Sequence, residues 1–337
     1  MQPENPWNGN TGEAEMKGQP IFFGPLLYFR TLPALERLSS AQLGSIAQHA
    51  EEEFFPAGNF LLQPRRTREA FFVIVEGKVT VRGPGGREEV AGPGEAVGFL
   101  HLLARSDEEL EARALWDTVA LRVDWDAHLD VCERSFAILE AHIGFLAQRC
   151  QEEVDRIRRA GVEPPGPTHR AEGFSEAVEE EELKTPEGLD LVQRLRALHR
   201  CRAFPSSNMD ALAELTHHMV EVRLEPGREF WGVGGRAEEI LLLVAGRVIR
   251  EDHAGGWREE LNAGEVVGRF EALSGLPRGS ALRALVPTVA LSLRLEPLLD
   301  ILEDHFTMAV DFTAGLAQEL IQLSEVAQPR RFPVEIL

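Results

Sequence analysis

Residues able to do metal or nucleophilic chemistry are few and scattered in this chain. Three cysteines, Cys132, Cys150 and Cys201, stand among 337 residues, and no two have the CxxC spacing of a zinc or redox site. Their odd number argues against a disulfide framework, so a reducing cytoplasm fits and no structural zinc is expected. His101 and the His217-His218 pair lack the HxH arrangement of a metal-binding barrel, and are expected to pack or face solvent. The same lack excludes a cupin-type barrel enzyme, which needs an HxH pair plus a further Glu and His. No G-x-S-x-G elbow, HExxH pair or phosphate-binding P-loop occurs. The expectation is a protein without catalytic residues, metal or cofactor.

The charge balance narrows the partners. With 35 Lys and Arg against 55 Asp and Glu, the formal net charge is −20. Such a surface repels nucleic-acid backbones and anionic membranes, so neither is an expected partner. Met1 to Pro20 is polar, without the apolar core of a signal peptide, and no apolar run reaches the ~18 residues of a membrane span. A cytoplasmic location is expected. The length suits two domains better than one core.

The elements repeat at a nearly constant offset. Gly58 and Gly227 are 169 residues apart, as are Gly77 in Val75-Glu-Gly-Lys-Val79 and Gly246 in Val244-Ala-Gly-Arg-Val248. Gly94-Glu95 recurs as Gly264-Glu265, Val97-Gly98 as Val267-Gly268, Arg113-Ala114-Leu115 as Arg283-Ala284-Leu285 and Val119-Ala120-Leu121 as Val289-Ala290-Leu291, all at 170. One offset across this many motifs is an internal duplication.

Each copy predicts the same order. A helix over Leu32 to Glu51, or Asp210 to Glu221, opens it, with Ser40 and Ser207 or Asn208 as N-caps. Short strands follow at Phe60–Leu62, Ala70–Val75, Lys78–Arg82, Glu88–Val90 and Val119–Val123. In the second copy they fall at Arg228–Trp231, Ile240–Val244, Arg247–Glu251, Trp257–Leu261 and Val289–Leu293. Gly77, Gly94, Gly246 and Gly264 stand at hairpin reversals that call for positive φ. Apolar stripes over Ser135–Arg159 and His305–Val326 predict a long helix closing each copy, which covers the roll or pairs in a homodimer.

The fold class is therefore mainly β with flanking helices: two tandem β-rolls, each followed by a long helix. The chain divides into a polar N-terminal segment, 1–22, expected to be disordered, a first domain, 23–160, an acidic Pro/Gly linker, 161–188, a second domain, 189–327, and a tail, 328–337.

Taken in order, the helix, the PAG or EPG turn, V-x-G-x-V, G-E-x-V-G, R-A-L and the final helix resemble the cyclic-nucleotide-binding domain of catabolite-activator-type regulators and kinase regulatory subunits. The resemblance covers roughly residues 30 to 160 and 190 to 326. It implies a phosphate-binding cassette, in which a short helix offers N–H groups to the cyclic phosphate and an arginine adds a charge-assisted hydrogen bond. A glutamate of the cassette accepts from the ribose hydroxyl. In the second copy the resemblance places the cassette on Gly268, Phe270, Glu271, Arg278, Gly279 and Ser280, with Arg278 on the phosphate. The ribose glutamate falls on Arg269, which cannot accept; Glu271 stands two residues on. Taken alone, Arg278 suits a salt bridge to a neighbouring carboxylate equally well, and Arg269 suits a solvated surface.

The first copy departs further. Phe99 stands at the glutamate and Glu108 at the arginine, inside the acidic run Asp107–Glu111, and Arg65-Arg66-Thr67-Arg68 stands where the second copy has Gly234-Gly235. At ~4 Å and an effective dielectric of ~20, each carboxylate would repel a phosphate by about 4 kcal/mol. Domain 1 is expected not to bind a cyclic nucleotide. The resemblance leaves two functions open: a non-catalytic regulatory or interaction protein acting through protein–protein contacts, or a cAMP or cGMP sensor binding in domain 2 through Arg278. A transcription factor of this type would need a helix-turn-helix after the last helix, and only Ala327–Leu337 follows it.

Overall fold

The structure is a computed structural model, describing residues 24–32, 35–63, 69–83, 86–162, 164, 188–200, 209–252, 256–327 and 335–336. The first half opens with α1 (Pro25–Phe29) and α2 (Ser40–Ala47). Then come β1 (Ala50–Phe55), β2 (Phe60–Leu62), β3 (Ala70–Glu76), β4 (Val79–Arg82), β5 (Glu88–Ala91) and β6 (Glu95–Val97). A short helix α3 (Phe99–Leu103), strands β7 (Glu111–Ala114) and β8 (Thr118–Asp124), and helices α4 (Trp125–Arg134) and α5 (Phe136–Arg159) complete it.

The second half repeats this order. It comprises α6 (Leu191–Arg200), α7 (Met209–His218), β9 (Val220–Leu224), β10 (Glu229–Trp231), β11 (Glu239–Ala245), β12 (Arg247–Asp252), β13 (Arg258–Asn262) and β14 (Val266–Val267). There follow α8 (Arg269–Ser274), β15 (Ser280–Ala284), β16 (Thr288–Arg294), α9 (Leu295–Asp304) and α10 (Phe306–Ala327). A last strand, β17 (Glu335–Ile336), pairs with β6 of the first half.

The two rolls share one topology. Sheets ordered β1-β8-β3-β6 and β2-β7-β4-β5 correspond strand for strand to β9-β16-β11-β14 and β10-β15-β12-β13. Even the irregularities correspond, since register shifts fall at Ile74/Glu76 against β8 and at Leu243/Ala245 against β16. Gly77 and Gly246 turn the chain at φ of 98° and 92°. A Cβ there would stand 2.5 Å from the carbonyl oxygens of Asp117 and Pro287, so glycine is required twice over.

Apolar side chains pointing into each roll form separate cores: Leu61, Phe72, Ile74 and Val79 in the first, Leu241, Leu243, Val248 and Leu282 in the second. A third core is continuous through both halves, joining Phe71 and Leu121 to Leu146 on α5 and Leu316 on α10. Tyr28, the sole tyrosine, fastens α1 to the first roll: its hydroxyl donates to the Ile74 carbonyl at 2.5 Å and accepts from the Gly94 amide at 2.9 Å.

The opening helices are shorter than the sequence pattern predicts. Ala50–Phe55 and Val220–Leu224 are edge strands, paired with β8 and β16, rather than helix ends. The Glu-rich run at 51–53 favours helix locally, and the sheet edge overrides it. Ser39, not Ser40, caps α2, in a capping box with Gln42. Ser207 and Asn208 lie outside the described residues, as do Arg65 to Arg68 and most of the expected linker. The long helices match their predicted spans, but their stripes face one another: α5 and α10 pack together within one chain.

Candidate functional site

The helix pairing carries each C-terminal helix to the opposite roll. α5 lies against α8 of the second roll, and α10 against α3 of the first. A Cβ on Gly144 of α5 would sit 3.3 Å from the Leu273 carbonyl, which shows how closely the helix passes. On the other side Arg105 pairs with Asp311 at 2.6 Å, and Gln318 donates to the Ala104 carbonyl at 2.9 Å. Each short helix between strands is thus covered by a helix from the other half.

Four arginines converge on the second roll. Arg278 is buried, stacks on the Trp231 ring with its guanidinium carbon 3.8 Å from the centroid, and donates to the Gly268 carbonyl at 2.8 Å and to that of Glu239. Its Nε has no hydrogen-bond partner, and burial lowers its pKa from the usual arginine value. Among the described residues no carboxylate reaches ion-pair distance of it. Arg250 donates to Ser280 Oγ at 2.7 Å and to the Glu271 carboxylate. Arg269 is buried and donates to both oxygens of Glu319 from α10. Arg158 of α5 pairs with Glu259 at 2.6 Å and stacks on Trp257 at 3.8 Å, and burial lowers its pKa as well.

A cavity of about 70 Å³ lies beside Arg158, Arg250 and Arg269, and Arg278 does not line it. Gly268, Arg269, Phe270 and Arg250 line it from the roll, Val154 and Arg158 from α5, and Glu319 from α10. Sites for small organic ligands run to roughly 300 Å³ and above.

In the first roll four of the five matching positions are apolar and the fifth is a histidine. Val81 stands at Arg250, His101 at Glu271, Leu110 at Ser280, Leu62 at Trp231 and Phe99 at Arg269, by the 169–170 offset. Leu62, Val81, Phe99, His101 and Leu110 are all buried. Leu62 closes on Gly98, where an added Cβ would meet its Cδ1 at 3.0 Å. Glu108 is exposed, at the edge of an outer cavity of about 340 Å³ between Arg105 and Ser106 on one side and Gln318, Gln322 and Glu325 of α10 on the other.

Residues 52–135 match the family model of the cyclic nucleotide-binding domain. No curated protein matches the sequence. Among solved structures, the chain is similar to the regulatory domain of Toxoplasma gondii PKA with cAMP, at 12% identity, covering 84% of this chain and 94% of that one with a TM-score of 0.30. It is also similar to the regulatory subunit of a cAMP-independent protein kinase A from Trypanosoma brucei, at 15% identity over 84% and 88% with a TM-score of 0.32. The N-terminal domain of a transcriptional regulator from Streptomyces coelicolor is 23% identical over 37% of this chain and 91% of that one, with a TM-score of 0.34. What those proteins bind is a property of those proteins.

The six residues that the sequence resemblance assigned to a cassette lie in the second roll. Gly268 and Phe270 line the cavity; Glu271 and Ser280 are tied together through Arg250; Gly279 is exposed. Arg278 is gathered with them, but on backbone carbonyls and an indole rather than in the salt bridge its neighbours' charge suggests. Arg269 corrects the expectation of a solvated surface residue: α10 brings Glu319 over it and buries both.

Arg250, Trp231, Glu319 and Arg158 were not singled out from sequence. Two had a signal. Arg250 follows Val248 by two residues, which puts both on the inward face of a strand. Glu319 falls among Leu316, Leu320 and Leu323, inside the apolar stripe of α10.

Proposed function

We propose that the chain is a non-catalytic regulatory protein that acts through protein–protein contacts, with neither roll taking up a cyclic nucleotide in the folded state described. The observation that carries this reading is the closure of the second roll. Its cavity is about 70 Å³, and Arg250, Arg269 and Arg158 are each neutralised by a carboxylate. Glu271, the remaining acceptor for a ribose hydroxyl, is held by Arg250. The first roll has Glu108 in place of a cation, and Val81 and Leu110 where polar groups would be needed. The two rolls serve instead as seats for α5 and α10, which favours a rigid platform for a protein partner. A homodimer through the same helices would have to use their outer faces, since the inner ones are buried against each other.

The charge of −20 speaks against a nucleic-acid partner. No described helix is long and apolar enough to cross a membrane. A cytoplasmic location is part of the proposal.

One observation favours the second reading, a cAMP or cGMP sensor in domain 2. Arg278 has no carboxylate partner among the described residues and keeps an unpartnered Nε. Capture would then have to part Arg269 from Glu319 and lift α5, a population shift driven by ligand. Titration of the purified chain with cAMP and cGMP, by calorimetry and thermal shift beside Arg278→Ala, separates the two. The platform predicts no heat and no stabilisation at millimolar nucleotide. Saturable binding abolished in Arg278→Ala would establish the sensor.

A further inference from the structure

His128, Cys132 and His142 come together inside the first half, away from the cassette. His128 and Cys132 are four apart on α4 and share one face; His142 arrives from α5. All three are buried, at 3%, 0% and 2% exposure. One donor atom from each lies within 4.8 Å of the others, and Cys132 Sγ is 3.7 Å from His128 Nε2. The Nδ1 atoms of His128 and His142 are buried with no hydrogen-bond partner. Around them stand Phe71, Phe99 and Trp125, with ring centroids 4.9 to 6.3 Å apart, and a residual space of about 20 Å³. An aromatic cage is a poor home for two imidazoles with unpartnered ring nitrogens.

The duplication supplies an internal control. At the 170 offset the second half has Leu298, Leu302 and Phe312, all buried and all apolar. The scaffold therefore packs without any polar atom at these positions. The first half carries a metal-ligating side chain at each of the three positions.

We propose that His128, Cys132 and His142 form a three-coordinate site for one monovalent copper ion. Charge and softness select the ion. A thiolate with Cu⁺ and two neutral imidazoles sums to zero, which suits an apolar cage, whereas Zn²⁺ would leave a buried positive charge and seek a fourth ligand. Thiolate sulfur favours soft cations. The cluster holds no fourth Cys, His, Asp or Glu among the described residues. On binding, the S–H bond breaks, a Cu–S bond forms and the proton leaves to solvent, with no change in oxidation state. Bonds of roughly 2.0–2.3 Å in a trigonal shell put the donors about 3.7 Å apart, so the cluster closes by about 1 Å from its present spread.

The full chain, stripped with chelator and kept anaerobic, is titrated with Cu⁺ against bathocuproine disulfonate, and the loaded protein is measured by X-ray absorption. Expected are one Cu⁺ per chain, a near-ultraviolet sulfur-to-copper band, and a shell of one sulfur and two imidazole nitrogens. Cys132→Ser should abolish the band and weaken Cu⁺ binding at least 100-fold, and Cys150→Ser should change neither. If Cys132→Ser does not fold, His142→Phe, which installs the residue of the second half, takes its place. A shell without sulfur, a stoichiometry far below one, displacement of Cu⁺ by equimolar Zn²⁺, or undiminished binding in the folded Cys132→Ser or His142→Phe protein overturns the site.

Discussion

The guanidinium of Arg269, at the start of α8, lies against both carboxylate oxygens of Glu319 from α10, and water reaches neither side chain appreciably. The same guanidinium rests over the Phe270 ring, its carbon 4.7 Å from the centroid. This pair locks the second roll to the helix bundle.

Removing one partner should therefore cost far more than removing both. Glu319→Leu strands a buried cation and is expected to lower stability by about 3–5 kcal/mol. Arg269→Met with Glu319→Leu should recover most of that loss, because well-packed apolar groups often replace a buried pair without penalty. Urea unfolding of the three variants measures it. A double variant as unstable as the single one would show that the pair is not what fastens the roll.

The turn glycines make a second prediction. At Gly246 an alanine would suffer both positive φ and a Cβ 2.5 Å from the Pro287 carbonyl; Gly77 faces Asp117 in the same way. Each substitution to alanine should destabilise by about 2 kcal/mol or more. Gly227→Ala, also at positive φ but with open space around it, should cost less. Denaturation midpoints of the three variants test the ranking.

The contrast between those glycines and the site explains what the sequence could disclose. Gly77, Gly94, Gly246 and Gly264 were legible because a hairpin reversal imposes its φ locally, and all four have positive φ. The 170 offset exposed the duplication for the same reason: each framework residue acts within its own roll. Strands β7 and β15 escape the strand pattern, although Arg113-Ala114 and Arg283-Ala284 mark their ends, because their inward residues are mainly Ala and Ser, which give little apolar signal. The site depends on contacts between distant residues. Arg158 and Glu259 are 101 residues apart and belong to different halves, so neither identifies the other in the sequence. The His128 cluster stayed hidden likewise: its third member comes from another helix.

Arg105 offers a test of strain. It is the one non-glycine residue at positive φ among those described, at 49°, and it occupies the position of Gly275, which ends α8 at φ 73°. Its side chain compensates by pairing with Asp311, though it is more than half exposed. In an Asp311→Ala background, where that exposed pair is already gone, Arg105→Gly should raise stability by about 1 kcal/mol. Gly275→Ala should lower it by a similar amount. Thermal unfolding of these variants decides it; a fall on Arg105→Gly would mean that the left-handed turn carries no strain.

The continuous core between the halves predicts their cooperativity. Leu146 of α5 and Leu316 of α10 are both buried in it, and Cys150 Sγ approaches the Leu316 carbonyl at 3.7 Å. Leu→Ala at either position leaves a cavity expected to cost 2–5 kcal/mol, or about that range. If α5 and α10 join the rolls into one folding unit, each substitution should shift a single transition seen both by far-ultraviolet circular dichroism and by hydrogen exchange in both rolls. Two separated transitions, with only one moved by Leu146→Ala, would mean that each roll holds its own helix more firmly than the helices hold each other. The crossed contacts argue for the single transition: a second roll that lost α5 would part Glu259 from buried Arg158, and a first roll that lost α10 would part Arg105 from Asp311.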